Sequence, residues 1–216
     1  MGSLRILVAD DHDLMRRGIK TLIESRKGWE ICGEARTGAQ AVTQAQELKP
    51  DVAILDISMP DLNGIEAAKR IRKASEKTEI LMLSMHYSDQ IIRDVINAGI
   101  RGYVVKTDSG NDLSRALENL ATHKPFYSRR VSDVIANPPR ENTASDSEKP
   151  STRVTSRENE IIQLLSEGKS SKEVAVQLNI SVKTVETHRA NIMRKLELHT
   201  VTELVRYAIR NQIIEA

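Results

Sequence analysis

The chain has 216 residues, 39% hydrophobic and 3% aromatic, with 32 Lys and Arg against 30 Asp and Glu for a net charge of +2. That length suits two domains better than one, and so small a net charge excludes a global basic field as the basis for nucleic-acid binding, leaving local clustering as the electrostatic route. The single cysteine, Cys32, excludes an internal disulfide or a Cys-rich zinc site and reads as a small buried hydrophobe.

No apolar run approaches the roughly 20 residues of a membrane span. The first run meets Asp10 and Asp11 too soon for a signal peptide. The expectation is a soluble, cytoplasmic protein with no membrane partner.

Between residues 4 and 123 two textures alternate. Short aliphatic and β-branched runs predict strands: "LRILVA", "WEICGEA", "DVAILD", "EILMLS" and "GYVVK". The stretches between and after them predict helices: "HDLMRRGIKTLIESR", "GAQAVTQAQEL", "NGIEAAKRIRKA", "DQIIRDVINAG" and "SGNDLSRALENLATH". In the first, Leu14, Gly18, Ile19, Leu22 and Ile23 recur near helical spacing; in the last, Leu113, Ala116, Leu117, Leu120 and Ala121 do so. Five strands alternating with five helices predict a parallel sheet covered on both faces. Right-handed crossovers close it as a doubly wound (βα)5 α/β domain of flavodoxin type, with five parallel strands.

That domain is placed at 4–127. Residues 128–152 read as a linker, with room for a short helix at 128–137; "PPRENTASDSEKPST" is too poor in large apolar residues to bury a core. From 153 to 216 the pattern is purely helical. Three boxes, Thr155…Glu158, Ser170…Glu173 and Thr200…Glu203, can each cap a helix reciprocally, and Ser181 is a fourth N-cap without the glutamate. They predict four helices near 155–167, 170–178, 181–196 and 200–213.

Ligands of an open α/β sheet gather beyond the carboxyl ends of its strands. Asp10 and Asp11 end the first strand and Asp56 the third, which a 2-1-3-4-5 order sets side by side. Each pair of carboxylates a few ångströms apart repels by about 4 kcal/mol at an effective dielectric near 20. The cluster therefore needs a cation or a proton, and an all-oxygen site with retained water suits Mg2+. Lys106 and Ser84 end the fifth and fourth strands. Alone, a strand-end Asp serves as readily to cap the next helix, and a strand-end Lys as a solvated charge. Together they are the parts of a phosphoryl-transfer site: Asp56 attacks phosphorus, the metal and Lys106 balance charge, and Ser84 hydrogen-bonds the product.

With "DD" at 10–11, D-x-x-M-P-x-x-x-G at 56–64, Ser84, Tyr103 and Lys106, residues 4–123 resemble the receiver domain of bacterial two-component response regulators. The resemblance implies that Asp56 is the phosphoacceptor. Asp11, Asp56 and the Ser58 backbone carbonyl would hold Mg2+, and Asp10 would assist through water. Lys106 would pair with the phosphoryl group. Ser84 and Tyr103 would form a switch in which the hydroxyl moves to the phosphate and the ring turns inward into the vacated space. Ser58, Met85 and His86 would lie beside the phosphate and tune its lifetime.

"SSKEVAVQLNISVKTVETHRANIMRKL" carries a helix, a tight turn through Asn179 and Ile180, and a second helix. Val174, Ala175 and Leu178 read as inward on the first; Val182, Val185, Ile192 and Leu196 form a stripe on the second. Within 181–196 stand Lys183, Arg189, Arg194 and Lys195 against Glu186 alone, before His188 is counted. A solvated face has such charge too, but the two-helix spacing suits a helix laid in the DNA major groove. Residues 153–216 resemble the tetrahelical LuxR-type DNA-binding domain. The resemblance places Glu186, Thr187 and Ala190 toward bases, and Lys172, Lys183, Thr184, His188, Arg189, Asn191 and Lys195 toward phosphates or in helix orientation. Its fourth helix, with Val201, Leu204, Val205 and Ala208, would make a dimer contact.

A receiver joined to this domain is the NarL/FixJ architecture. It implies a transcriptional regulator phosphorylated by a sensor histidine kinase, forming a homodimer at least when phosphorylated, on double-stranded DNA with an inverted repeat. Beyond its own phosphotransfer and dephosphorylation it would not be an enzyme. Two other readings stand beside it. One is a regulator whose DNA binding ignores phosphate. The other is a phosphoaspartyl hydrolase, which wants a second acid where Ser58 stands.

Overall fold

The computed structural model describes residues 3–85, 89–107, 110–136, 154–211 and 213–214. The chain forms two compact units divided near position 137, and each is taken by itself.

The first unit is a parallel sheet wrapped by helices. Its strands are β1 (Leu4–Ala9), β2 (Trp29–Ala35), β3 (Val52–Asp56), β4 (Glu79–Ser84), β5 (Gly102–Val105) and β6 (Phe126–Tyr127), in the order β2-β1-β3-β4-β5-β6. The helices are α1 (Asp13–Glu24), α2 (Gly38–Leu48), α3 (Gly64–Ala74), α4 (Asp89–Asn97), α5 (Gly110–Leu120) and α6 (Arg129–Ala136). Side chains alternate across the sheet. Ile6, Val8, Val52, Ile54, Leu81, Leu83 and Val104 pack with Ile19, Ile23 and Leu117 on one face. Leu7, Ala9, Ala53, Leu55, Ile80, Met82, Tyr103 and Val105 pack with Ala41, Ala67 and Ile92 on the other.

The expectations for this unit need correction in the sheet, the linker and two helical stripes. The sheet has six strands rather than five, because Phe126-Tyr127 pairs parallel with Gly102-Tyr103; two residues are too few to show a period. The expected linker does not begin at 128. The Ser128 amide donates to the Tyr103 carbonyl at 3.0 Å, and Val131 of α6 is buried in the first unit's core. The rest of the expected linker, 137–152, lies outside the described residues, as does His86. On α1, Leu14 is 84% exposed, and Met15 takes its place in the stripe with Ile19, Leu22 and Ile23. Ala121 also falls outside its stripe, exposed one residue past the end of α5.

Among its described residues the second unit has four helices: α7 (Ser156–Ser166), α8 (Ser171–Gln177), α9 (Val182–Lys195) and α10 (Val201–Arg210). Thr155, Ser170 and Thr200 each accept from the N3 amide while Glu158, Glu173 and Glu203 reach back to the N-cap amide. Ser181 caps α9 by accepting from the Thr184 amide. The turn between α8 and α9 passes through Asn179 in the left-handed region, at φ 51°, a conformation Asn adopts more readily than most residues. Ile161, Ile162, Leu164, Val174, Ala175, Val185, Ile192, Leu204 and Ala208 form the core, and Leu178 and Leu196 pack against it. Val182 is exposed and stands outside the expected stripe. Leu204 and Ala208 are spent on this core, so only Val201 and Val205 of the expected dimer set keep exposed surface.

Candidate functional site

The strand register brings the expected pocket together. Ala9 pairs with Leu55, Asp56 with Leu83, and Ser84 with Val105, so the residues that end β1, β3, β4 and β5 share one edge. Strand alternation then sorts them. Asp10, Asp56 and Lys106 continue the β1, β3 and β5 positions facing α1 and α5, whereas Ser84 and Tyr103 belong to the opposite face.

Asp10 and Asp56 are buried, and the Lys106 side chain is 2% exposed. Its Nζ lies 2.9 Å from Asp10 Oδ2 and 2.8 Å from Asp56 Oδ2. Burial alone lowers the lysine pKa, but the Asp56 charge and the hydrogen bonds of both aspartates outweigh it and leave the pKa raised. One ammonium against Asp10, Asp11 and Asp56 leaves two negative charges uncompensated. Asp11 is exposed at the rim. His12, next in the chain, places Nδ1 at 2.9 Å from Asp11 Oδ1 and 3.3 Å from Asp10 Oδ1. One donor atom from each of Asp10, Asp11, His12 and Asp56 lies within 4.8 Å of the others. This largely carboxylate set, with its excess of negative charge, fits a hard divalent cation.

The D-x-x-M-P-x-x-x-G segment holds the phosphoacceptor candidate rigidly. Met59 is buried in the core and Ser58 is half-buried. The Gly64 amide donates to the Ile57 carbonyl at 2.8 Å, and Asn63 caps α3 by accepting from the Glu66 amide at 3.0 Å. A Cβ on Gly64 would fall 1.9 Å from the Asp56 carbonyl oxygen. Glycine is required there by close approach of two backbones.

Tyr103 is fully buried and hydrogen-bonds Ser84. Burial pushes its hydroxyl up to about 12; the Ser84 bond opposes the shift and the Asp56 charge adds to it. The ring therefore already stands inward, where the resemblance had it arriving only after Ser84 moved.

Two residues escaped the sequence reading. His12 shares the acidic cluster, and its type beside two aspartates was the available signal. Arg16 is buried on α1, donates to the Asp10 carbonyl at 2.7 Å and pairs with Asp13. It braces the β1–α1 corner, and its position on the inward side of α1 was the only hint.

On α9, Lys183, Glu186, Thr187, Ala190 and Arg194 are exposed at helical spacing along one face. Thr184, His188, Arg189 and Asn191 flank it, half-buried, and Lys172 is exposed on α8. Lys195 differs. Its Nζ lies 2.9 Å from Glu158 Oε2, the same oxygen that accepts from the Thr155 amide in the α7 capping box.

A parallel sheet with lysine-bridged aspartates at its carboxyl edge, and a helix-turn-helix unit with a basic exposed helix, define a receiver-type signalling protein. Comparison with known proteins gives the class. Residues 6–118 match the response regulator receiver domain, and residues 152–208 match the bacterial regulatory proteins of the luxR family. The transcriptional regulatory protein LiaR of Bacillus subtilis is 33% identical over 98% of this chain and 99% of its own. The response regulator protein VraR of Staphylococcus aureus is 31% identical over 99% and 100%. Among solved structures, RcsB of Salmonella typhimurium aligns over 96% of this chain and 97% of its own, with 27% identity and a TM-score of 0.69. RcsB bound to the promoter rprA in the presence of phosphomimetic BeF3− aligns over 95% and 98%, with 26% identity and a TM-score of 0.68. The chain belongs to the NarL/FixJ family of response regulators, which join a receiver to a LuxR-type DNA-binding domain.

Proposed function

We propose that this protein is a cytoplasmic, phosphorylation-gated transcription factor that accepts a phosphoryl group on Asp56 from a sensor histidine kinase. The observation that carries the reading is Lys106 Nζ set between Asp10 and Asp56 at 2.9 and 2.8 Å in a buried strand-edge pocket. An Asp56 carboxylate oxygen forms the new O–P bond as the donor's N–P bond breaks; the donor imidazole leaves with the electron pair and takes a proton from solvent. Asp10, Asp11, Asp56 and the Ser58 carbonyl would hold Mg2+, which when bound offsets charge on the transferring oxygens. Lys106 holds the Asp56 carboxylate in place before transfer and pairs with the phosphoryl oxygens after it. Ser84 gives up its bond to Tyr103 to donate to the phosphoryl group, and the buried ring repacks. That local change biases a two-state surface.

The output is DNA binding through α9, with Glu186, Thr187 and Ala190 toward bases and Lys172, Lys183, Arg189 and their neighbours toward phosphates. The promoter complex of the similar RcsB supports this. Two copies related by a two-fold would read an inverted repeat about one helical turn apart. One observation favours a second reading, in which DNA binding ignores phosphate: Tyr103 is already inward.

Phosphoryl uptake from a small phosphodonor, followed by intact mass, tests the first reading. Wild type gains one phosphoryl group with Mg2+, and Asp56→Asn gains none; uptake by the variant overturns the assignment. Mobility shift with and without the phosphodonor separates the two readings, since equal affinity supports the second.

A further inference from the structure

The proposed phosphotransfer uses Asp10, Asp11, Asp56 and Lys106, and it gives no task to one donor of the same cluster. His12 occupies the N-cap position of α1, yet its side chain makes no cap hydrogen bond. Its ring turns instead to the aspartate pair, with Nδ1 2.9 Å from Asp11 Oδ1 and 3.3 Å from Asp10 Oδ1. The ring and the three carboxylates offer four donor atoms within 4.8 Å of one another. An octahedral ion with donors at about 2.1 Å sets opposite donors about 4.2 Å apart. A set spanning 4.8 Å therefore closes on such an ion after shifts of a few tenths of an ångström. The His12 side chain is 49% exposed, so it can make that adjustment without unpacking the core.

Donor type decides which ion gains. Without an ion, Nδ1 donates its proton to the Asp11 and Asp10 carboxylate oxygens. A cation entering the cluster displaces that proton, and the neutral imidazole, with its remaining proton on Nε2, then presents Nδ1 as a lone-pair donor. Mg2+ is hard and dehydrates reluctantly, so it gains little from exchanging a water for nitrogen. Mn2+ tolerates nitrogen and stands at the start of the series in which imidazole raises affinity. We propose that His12 supplies a nitrogen ligand through Nδ1, making this a mixed nitrogen–oxygen site whose preference is shifted from Mg2+ toward Mn2+. The inference rests on the reading of Asp10, Asp11 and Asp56 as metal ligands, and its test keeps the two apart.

The full chain and its His12→Asn and His12→Ala variants are titrated calorimetrically with Mn2+ and with Mg2+. Electron spin-echo modulation is recorded on the Mn2+-loaded proteins. Nitrogen modulation is expected in wild type and absent from both variants. Mn2+ affinity falls about tenfold on losing the imidazole, while Mg2+ affinity changes by less than about twofold. Mn2+ bound to wild type without nitrogen modulation overturns the proposal. So do equal losses for both ions, which would make His12 a hydrogen-bonding support for the carboxylates. If wild type binds neither ion, the metal reading of the aspartates fails first and the His12 ligand falls with it. Melting of the variants near wild type assigns any lost affinity to the donor and not to misfolding.

Discussion

The two units use charge in opposite ways. The first withdraws Asp10, Asp56 and Lys106 from water and sets them against one another at under 3 Å. The second keeps Lys183, Glu186 and Arg194 in water along one helix face. A buried set works at fixed geometry, is weakly screened, and is costly to leave half-complete. An exposed set acts at range and weakens with salt. One arrangement suits chemistry on a small group, the other recognition of a long polyanion.

The sharpest way to break this contrast is to remove the buried cation. Lys106→Met leaves the buried Asp10 and Asp56 uncompensated, and loss of one partner from a buried pair costs about 3–5 kcal/mol. Urea unfolding should show a loss of that order, partly recovered by added Mg2+, which supplies the missing positive charge. The matching change on the exposed helix, Lys183→Met, should leave stability within about 0.5 kcal/mol. Equal costs at the two positions would remove the distinction.

Salt gives the next largest effect, and it should divide the two activities. If Lys172, Lys183, Arg189 and Arg194 each neutralise a phosphate, the slope of log affinity on log salt is about −3.6 per bound protomer. A fourfold rise in salt then weakens DNA binding about a hundredfold. Phosphoryl uptake in the buried pocket should change by less than about twofold over the same range. Single variants refine the comparison. Arg194→Ala should reduce the slope by about one. Lys195→Ala should barely change it, because that ammonium is held by Glu158, and should appear instead as lost stability of the helical unit.

Much of the first site was legible because strand order is a strong constraint. Once five apolar runs are read as a doubly wound sheet, the residues ending runs one, three, four and five must meet at one edge. The helical unit was legible through its caps: Thr155, Ser170, Ser181 and Thr200 each stand where the sequence placed them. What escaped was short or long-range. The strand at Phe126-Tyr127 is too brief to carry a period. Leu14 and Met15 differ by one step of 100°, which decides burial but is invisible while both are apolar. The Lys195–Glu158 pair spans 37 positions, and Lys195 reads as one more free cation until the fold closes. His12 was passed over because the carboxylates already accounted for the ion.

Gly64 links the two kinds of legibility, since a motif glycine is a sequence signal with a purely geometric cause. Gly64→Ala drives a methyl into the Asp56 carbonyl, and overpacking of this kind costs about 1–3 kcal/mol. Because the clash falls on the backbone of the proposed phosphoacceptor, the phosphoryl uptake rate should fall along with stability. Among the described residues, Gly110→Ala meets Leu22 Cδ1 alone, at 3.4 Å, and should change the uptake rate by less than about twofold.

The smallest effect is a drift with acid that belongs to the helical unit. Glu158, Glu173 and Glu203 all sit below the usual glutamate range near 4.5. For Glu158, burial opposes the shift, and the Thr155 amide and Lys195 outweigh it. For Glu173 the Ser170 hydroxyl contributes most, and for Glu203 the His199 amide. Depressed carboxylates bind fewer protons folded than unfolded, so their contribution is complete above pH 4.5 and is lost as pH falls through the folded values. The helicity of the second unit should hold to about pH 5 and decline below it. Glu158→Gln should flatten that decline more than Glu173→Gln, because it also removes the partner of Lys195. A decline of the same steepness in both variants would mean that the capping box is felt at the helix end and not across to α9.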